Sequence, residues 1–139
     1  MIKREIYMQR IRPFMNTDLI KVFTGIRRAG KSVMLELVKN ELKESGISEE
    51  NFLCINFEQF SNSQYLDVQS LYKKIVDFQK NTKGKIYLFF DEIQEVTGWE
   101  KCINSCRIDF DCDIYITGSN AKLLSGELAT YLAGRYVEF

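Results

Sequence analysis

Gly25-Ile26-Arg27-Arg28-Ala29-Gly30-Lys31-Ser32 is the stretch on which the reading of this chain turns. It follows the short apolar run Leu19-Ile20-Lys21-Val22-Phe23-Thr24, which has the length and composition of a buried first strand. Behind it, Val33, Met34, Leu35, Leu37, Val38 and Leu42 recur at helical spacing until Ser45-Gly46 stops them. The order is strand, glycine loop, helix. The pattern G-x-x-x-x-G-K-[ST] needs its glycines because backbone N–H groups must turn toward an anion and a Cβ would obstruct that turn. The helix that follows presents its positive end to the same anion.

This loop predicts a nucleotide site. Residues Gly25, Ile26, Arg27, Arg28, Ala29, Gly30, Lys31, Ser32 and Val33 form the expected phosphate cradle. Lys31 is expected to reach the β- and γ-phosphates, and the Ser32 hydroxyl to ligate Mg²⁺. Arg27 and Arg28 either touch phosphates or a partner, or are solvated charges beside a basic site.

Strand and helix patterns alternate along the rest of the chain. Phe52 to Phe57 reads as a second strand, and Leu71, Ile75 and Phe78 share one helical face. Lys85 to Phe90 is a third strand, apolar almost throughout, as a strand covered on both faces would be. Trp99 to Ile108 predicts a helix, Asp113 to Thr117 a fourth strand, Ala121 to Leu132 helical segments, and Tyr136 to Phe139 the start of a fifth strand. Such alternation argues an α/β fold with a parallel sheet and right-handed crossovers. Residues 2–15 mix Ile2, Ile6, Ile11 and Phe14 with basic side chains and close at Pro13, which suggests a short leading helix or an extended arm. The expected organisation is an arm over 1–17 and a core over 18–139.

Composition narrows the class. A chain of 139 residues, 45% hydrophobic and 27% charged with one proline, fits a single globular domain. It has neither a run of about 18 apolar residues nor an apolar signal core behind Lys3 and Arg4, so a soluble, cytoplasmic protein without a membrane partner is expected. Formal charge sums to zero but is uneven: residues 1–32 hold eight basic and two acidic side chains, residues 33–139 eleven and seventeen. A nucleotide polyanion accounts for part of the basic end, and a DNA or protein partner has no specific support in the sequence. The four cysteines contain no C-x-x-C pair and the chain has no histidine, which leaves no zinc ligand set; Cys102 and Cys106, four apart, read as buried reduced thiols.

Two carboxylates, Asp91 and Glu92, close the third strand, at the end of an open α/β sheet where ligands sit. Asp91 suits a role at Mg²⁺, and Glu92 can orient and polarise an attacking water. The fourth strand ends Ile116-Thr117-Gly118-Ser119-Asn120. If the third and fourth strands are neighbours, Ser119 or Asn120 would reach the γ-phosphate or the water; helix capping before Ala121 is the equal alternative.

Gly25–Ser32, Ile86–Glu92, Gly98-Trp99-Glu100, Ile114–Asn120 and Gly134-Arg135-Tyr136 together resemble the ATPase domain of AAA-type bacterial and archaeal ATPases that often carry a C-terminal nuclease-like region. The resemblance spans almost the whole chain. It implies a P-loop three-layer αβα sandwich with a five-stranded parallel sheet in the order 5-1-4-3-2. It further implies Asp91 and Glu92 as the Walker B pair, Asn120 or Ser119 as the sensor, and ATP with Mg²⁺ as ligands. Arg135 matches the place of an arginine finger supplied to a neighbouring subunit, hence a homo-oligomer; a solvated or salt-bridged arginine is the alternative. Resembled proteins continue into a lid and further domains, so a fragment or truncated protein is expected. The implied activity is ATP hydrolysis that drives or switches attached domains or partners. A non-hydrolysing nucleotide sensor or interaction scaffold is the competing reading, against which the two carboxylates speak.

Overall fold

The structure, a computed structural model, describes residues 2–24, 28–119, 123, 132 and 134–139. Strands β1 (Ile20–Phe23), β2 (Phe52–Asn56), β3 (Ile86–Asp91), β4 (Cys112–Thr117) and β5 (Tyr136–Glu138) form one sheet in the order β2-β3-β4-β1-β5. Every neighbouring pair is parallel, so the expected order is the observed one. The described α-helices are α1 (Ile2–Ile11), α2 (Arg28–Glu44), α3 (Val68–Lys80) and α4 (Trp99–Asp109), with short 3-10 segments between elements. The leading segment is thus helical, followed by a 3-10 turn at Arg12–Phe14. Of the helical segments expected over 121–132, only Leu123 and Leu132 lie within the described residues, and both are helical.

Strand side chains alternate between the faces of the sheet, which is why an almost unbroken apolar run suits the central strands. Ile20, Val22, Ile86, Leu88, Phe90, Ile114 and Ile116 share one core with Leu71 and Ile75 of α3 and with Trp99, Cys102, Ile103 and Cys106 of α4. Phe23, Tyr87, Phe89 and Tyr115 face the other way and meet Met8 and Ile11 of α1 and Met34, Leu35, Val38 and Leu42 of α2. Helix ends follow local chemistry. Asp67 caps α3 by accepting the Ser70 N–H at 3.0 Å. Gly46, at φ 109°, lets the Ile47 N–H reach back to the Leu42 carbonyl at 3.2 Å and ends α2 where the sequence predicts.

A lysine inside β1 breaks the apolar pattern. Lys21 is wholly buried, with its Nζ 2.5 Å from Asp113 Oδ1, itself wholly buried. The ammonium also donates to the Thr17 carbonyl at 3.1 Å. Asp113 Oδ2 accepts from the Asn16 N–H at 3.0 Å and from the Tyr115 hydroxyl at 2.6 Å. Burial pushes the Lys21 ammonium below the usual lysine value, against the pull of Asp113. The network fastens the connection between α1 and β1 to the start of β4. Removing one charge of such a pair strands the other in a dry site, so Asp113→Asn is expected to lower the unfolding free energy by about 3 kcal/mol, read from urea denaturation midpoints.

Candidate nucleotide site

The carboxyl ends of β1, β3 and β4 collect the expected site residues. Register sets the arrangement: Phe90 lies opposite Ile116, so Asp91 falls beside Thr117. The Thr117 hydroxyl donates to Asp91 Oδ1 and accepts the Glu92 N–H at 2.9 Å. Asp91 Oδ2 receives the Ser32 hydroxyl at 2.6 Å, across the gap between the start of α2 and the carboxyl end of β3. One buried carboxylate is thereby tied to a helix and to the neighbouring strand.

Glu92 adopts the left-handed conformation, φ 59° and ψ 49°. For a residue with a Cβ this costs roughly 1–2 kcal/mol and is found where surrounding structure enforces it. Its N–H bond to Thr117 and the 3-10 turn Ile93–Glu95 that follows supply the enforcement. Glu92 Oε1 stands 3.1 Å from Lys31 Nζ, both side chains under one-tenth exposed. Its Oε2 accepts from Gln94 Nε2 at 2.6 Å. Lys31, Ser32, Asp91 and Glu92 therefore come together.

Gly25, Ile26, Arg27 and Asn120 lie outside the described residues. Arg28, Ala29 and Gly30 open α2, so the helix includes the end of the glycine loop, and Val33 is exposed on its surface. Ser119 accepts the Leu123 N–H on its backbone carbonyl at 2.8 Å, as a residue at a helix start does. Arg135 is exposed and immediately precedes β5, where its carbonyl accepts the Ile20 N–H at 2.9 Å. It therefore sits at the amino end of the sheet, away from the Lys31 cluster of its own chain.

One cleft borders the cluster and a second lies between α1, β1 and α2. The first, about 300 Å³, opens between α2 and β2 and is lined by Ser32, Lys39, Asn56 and Asp91 among others. The second, about 190 Å³, is lined by Tyr7, Arg10, Ile11, Phe23, Thr24, Met34 and Phe139. Ile11 is a core residue at 1% exposure, and the Phe14 ring meets Phe139 edge-on at 5.7 Å between centroids.

Thr117 and Gln94 were not among the residues singled out from sequence. Thr117 had a signal, a hydroxyl closing an apolar strand, but only the β3–β4 register converts it into a partner of Asp91. Gln94 had none beyond its place two residues after Glu92. The cysteine reading holds: Cys102 and Cys106 are buried free thiols, while burial pushes the Cys112 thiol up to about 12 and keeps it protonated. Among the described residues no group of three or more His, Cys, Asp or Glu gathers around a common point. None of the described helices is long and apolar enough to cross a membrane.

Comparison with known families agrees with this fold: an AAA domain matches residues 17–139. The chain belongs to the AAA domain family. This AAA domain is 50% identical over 138 residues to an uncharacterised protein of Haemophilus influenzae, covering 99% of this chain and 34% of that protein. It is 40% identical over 119 residues to an uncharacterised protein of Methanocaldococcus jannaschii, covering 84% of this chain and 24% of the relative. The chain thus spans about a third and about a quarter of the length of these two relatives. Its fold is similar to that of C. elegans PCH-2, with TM-score 0.59 at 14% identity over 97% of this chain and 38% of that one. A DNA replication initiation factor gives TM-score 0.56 at 20% identity over 96% and 44%. The AAA domain is a nucleotide-binding, ATPase-type domain on an α/β P-loop fold.

Because Thr117 satisfies two buried groups at once, Thr117→Val keeps the shape and leaves the Glu92 N–H without its hydroxyl partner. It is expected to destabilise the domain by about 2 kcal/mol, read by chemical denaturation, with Thr117→Ser close to the unaltered chain.

Proposed function

We propose that this domain binds MgATP at the Lys31 cluster and hydrolyses it. The observation that carries the reading is the convergence of a buried ammonium, two hydroxyls and two carboxylates from the start of α2 and the carboxyl ends of β3 and β4. Lys31, in the first turn of α2, would exchange Glu92 for the β- and γ-phosphates. Backbone N–H groups of Gly25–Lys31 would surround those phosphates. Ser32 and Asp91 offer hard oxygen donors to Mg²⁺, which usually takes one or two protein ligands together with phosphates and needs no all-protein cage. Held by Ser32 and Asp91, the metal would offset the negative charge that develops on the phosphates. The nucleotide base fits the apolar cleft lined by Tyr7, Ile11 and Met34 beside Thr24, the last described residue before the glycine loop.

In this reading Glu92, once released by Lys31, orients the attacking water and accepts its proton, while Thr117 and Ser32 keep Asp91 fixed. Ser119 or Asn120 would contact the γ-phosphate from the end of β4. Arg135, exposed at the opposite end of the sheet, lies away from the Lys31 cluster of its own chain, and we assign it the role of an in-trans finger in a homo-oligomer, a solvated arginine being the alternative. The parts of the relatives beyond this domain are where hydrolysis would do its work, in a cytoplasmic protein whose attached regions, nuclease-like in the ATPases it resembles, are driven or switched.

Two substitutions test the reading. Lys31→Ala is expected to weaken MgATP binding at least about tenfold, measured by equilibrium titration; unchanged affinity would remove the site. Glu92→Gln is expected to retain binding and lose hydrolysis by about 100-fold or more, measured as phosphate release; normal turnover would exclude Glu92 from the chemistry.

A further inference from the structure

Both oxygens of the Glu92 carboxylate are engaged, and the second partner is unexplained by the site as drawn so far. Gln94 lies in the 3-10 turn after β3 and donates its Nε2–H to Glu92 Oε2 at 2.6 Å. Its other amide atom, Oε1, is buried and has no hydrogen-bond partner among the described residues. A buried amide oxygen left unpaired is unfavourable, so the side chain is not held there by its own hydrogen-bonding balance. Packing holds it. A Cβ added to Gly118 would lie 2.3 Å from Gln94 Oε1 and 2.4 Å from the Leu123 side chain, so only glycine admits the amide at this point.

We propose that Gln94 is a positioning residue: wedged against Gly118 at the end of β4, it fixes the direction of the Glu92 carboxylate. This rests on the reading of Glu92 as the group that handles the attacking water. A carboxylate held by one ion pair alone can rotate when Lys31 turns to a phosphate. Gln94 supplies the second point of attachment, which persists after that exchange. Three features act together: the left-handed backbone at Glu92 sets where its side chain starts, Gln94 sets where it ends, and Gly118 sets where Gln94 can stand. Gln94 also gives the segment after β4 a mechanical hold on Glu92, because any shift of Gly118 is felt by the amide that holds the carboxylate.

The test compares the unaltered chain with Gln94→Met, which keeps the length and removes both amide groups, and Gln94→Glu, which keeps the shape and removes the donor. MgATP dissociation constants, single-turnover hydrolysis rates and thermal midpoints are measured for each. Both variants are expected to bind MgATP within about threefold of the unaltered chain and to hydrolyse it at least about tenfold more slowly. Gln94→Met with an unaltered rate overturns the inference. So does a rate loss matched by an equal loss of affinity, since that marks general damage to the site. A chain that binds MgATP and releases no phosphate defeats the hydrolysis reading separately. The ¹⁵N-resolved side-chain amide signals of Gln94 then decide this inference by themselves: they shift in Glu92→Ala if the amide holds that carboxylate, and unmoved signals overturn it.

Discussion

Asp91 is the constraint from which the site is organised. Its two oxygens are claimed by hydroxyls from different elements, Ser32 at the start of α2 and Thr117 at the end of β4. Burying a carboxylate is costly unless its oxygens find hydrogen-bond donors. In meeting that need it ties the glycine-loop helix to the middle of the sheet. Glu92 inherits its backbone direction from the same threonine, and Lys31 meets Glu92 because Ser32, its neighbour, is already fixed on Asp91. The cluster is therefore a consequence of sheet order: β3, β4 and β1 are adjacent, so their ends converge.

A second buried charge pair, Lys21 with Asp113, does comparable work at the amino end of the sheet. It joins β1 to β4 and draws in the backbone at Thr17, while Tyr87 donates to the Asn16 side chain at 2.7 Å. Together these contacts fix where α1 leaves the core. Arg12 adds a surface tie, reaching Glu5 of α1 and Glu41 of α2; being solvent-exposed, that tie contributes little by itself. The apolar cleft beside Thr24 has its wall supplied by Tyr7, Arg10 and Ile11 because α1 is held in this way.

Much of the architecture was legible in the residues. The central strands β3 and β4 are buried on both faces and therefore written as continuous apolar runs, and they, like the edge strand β2, agree with their sequence patterns to within a residue or two. Gly46 ends α2 for a reason visible in the sequence, and Asp91-Glu92 follows its strand as expected. Illegible features depend on which strands become neighbours. Lys21 looks like a solvent-facing break in an apolar strand until Asp113, far away in sequence, is brought opposite. Thr117 looks like the polar end of a strand until β4 lies beside β3. Gln94 becomes meaningful only when Gly118 leaves room for its amide. The resemblance supplied the strand order, which periodicity could not, because pairing between non-sequential strands leaves no local mark on either.

The ion pair between Lys31 and Glu92 alters what the arrival of an anion at this domain means. If the proposed site is right, a phosphate would not find a bare cation there; it would displace a carboxylate already seated on Lys31. On the proposed reading, binding is an exchange of one anion for another at a single ammonium, and its free energy is the difference between two similar attractions. Affinity then reports less on the strength of the lysine than on how readily the carboxylate leaves. The same exchange keeps the proton acceptor occupied while the domain is empty and frees it only when there is a phosphate to attack.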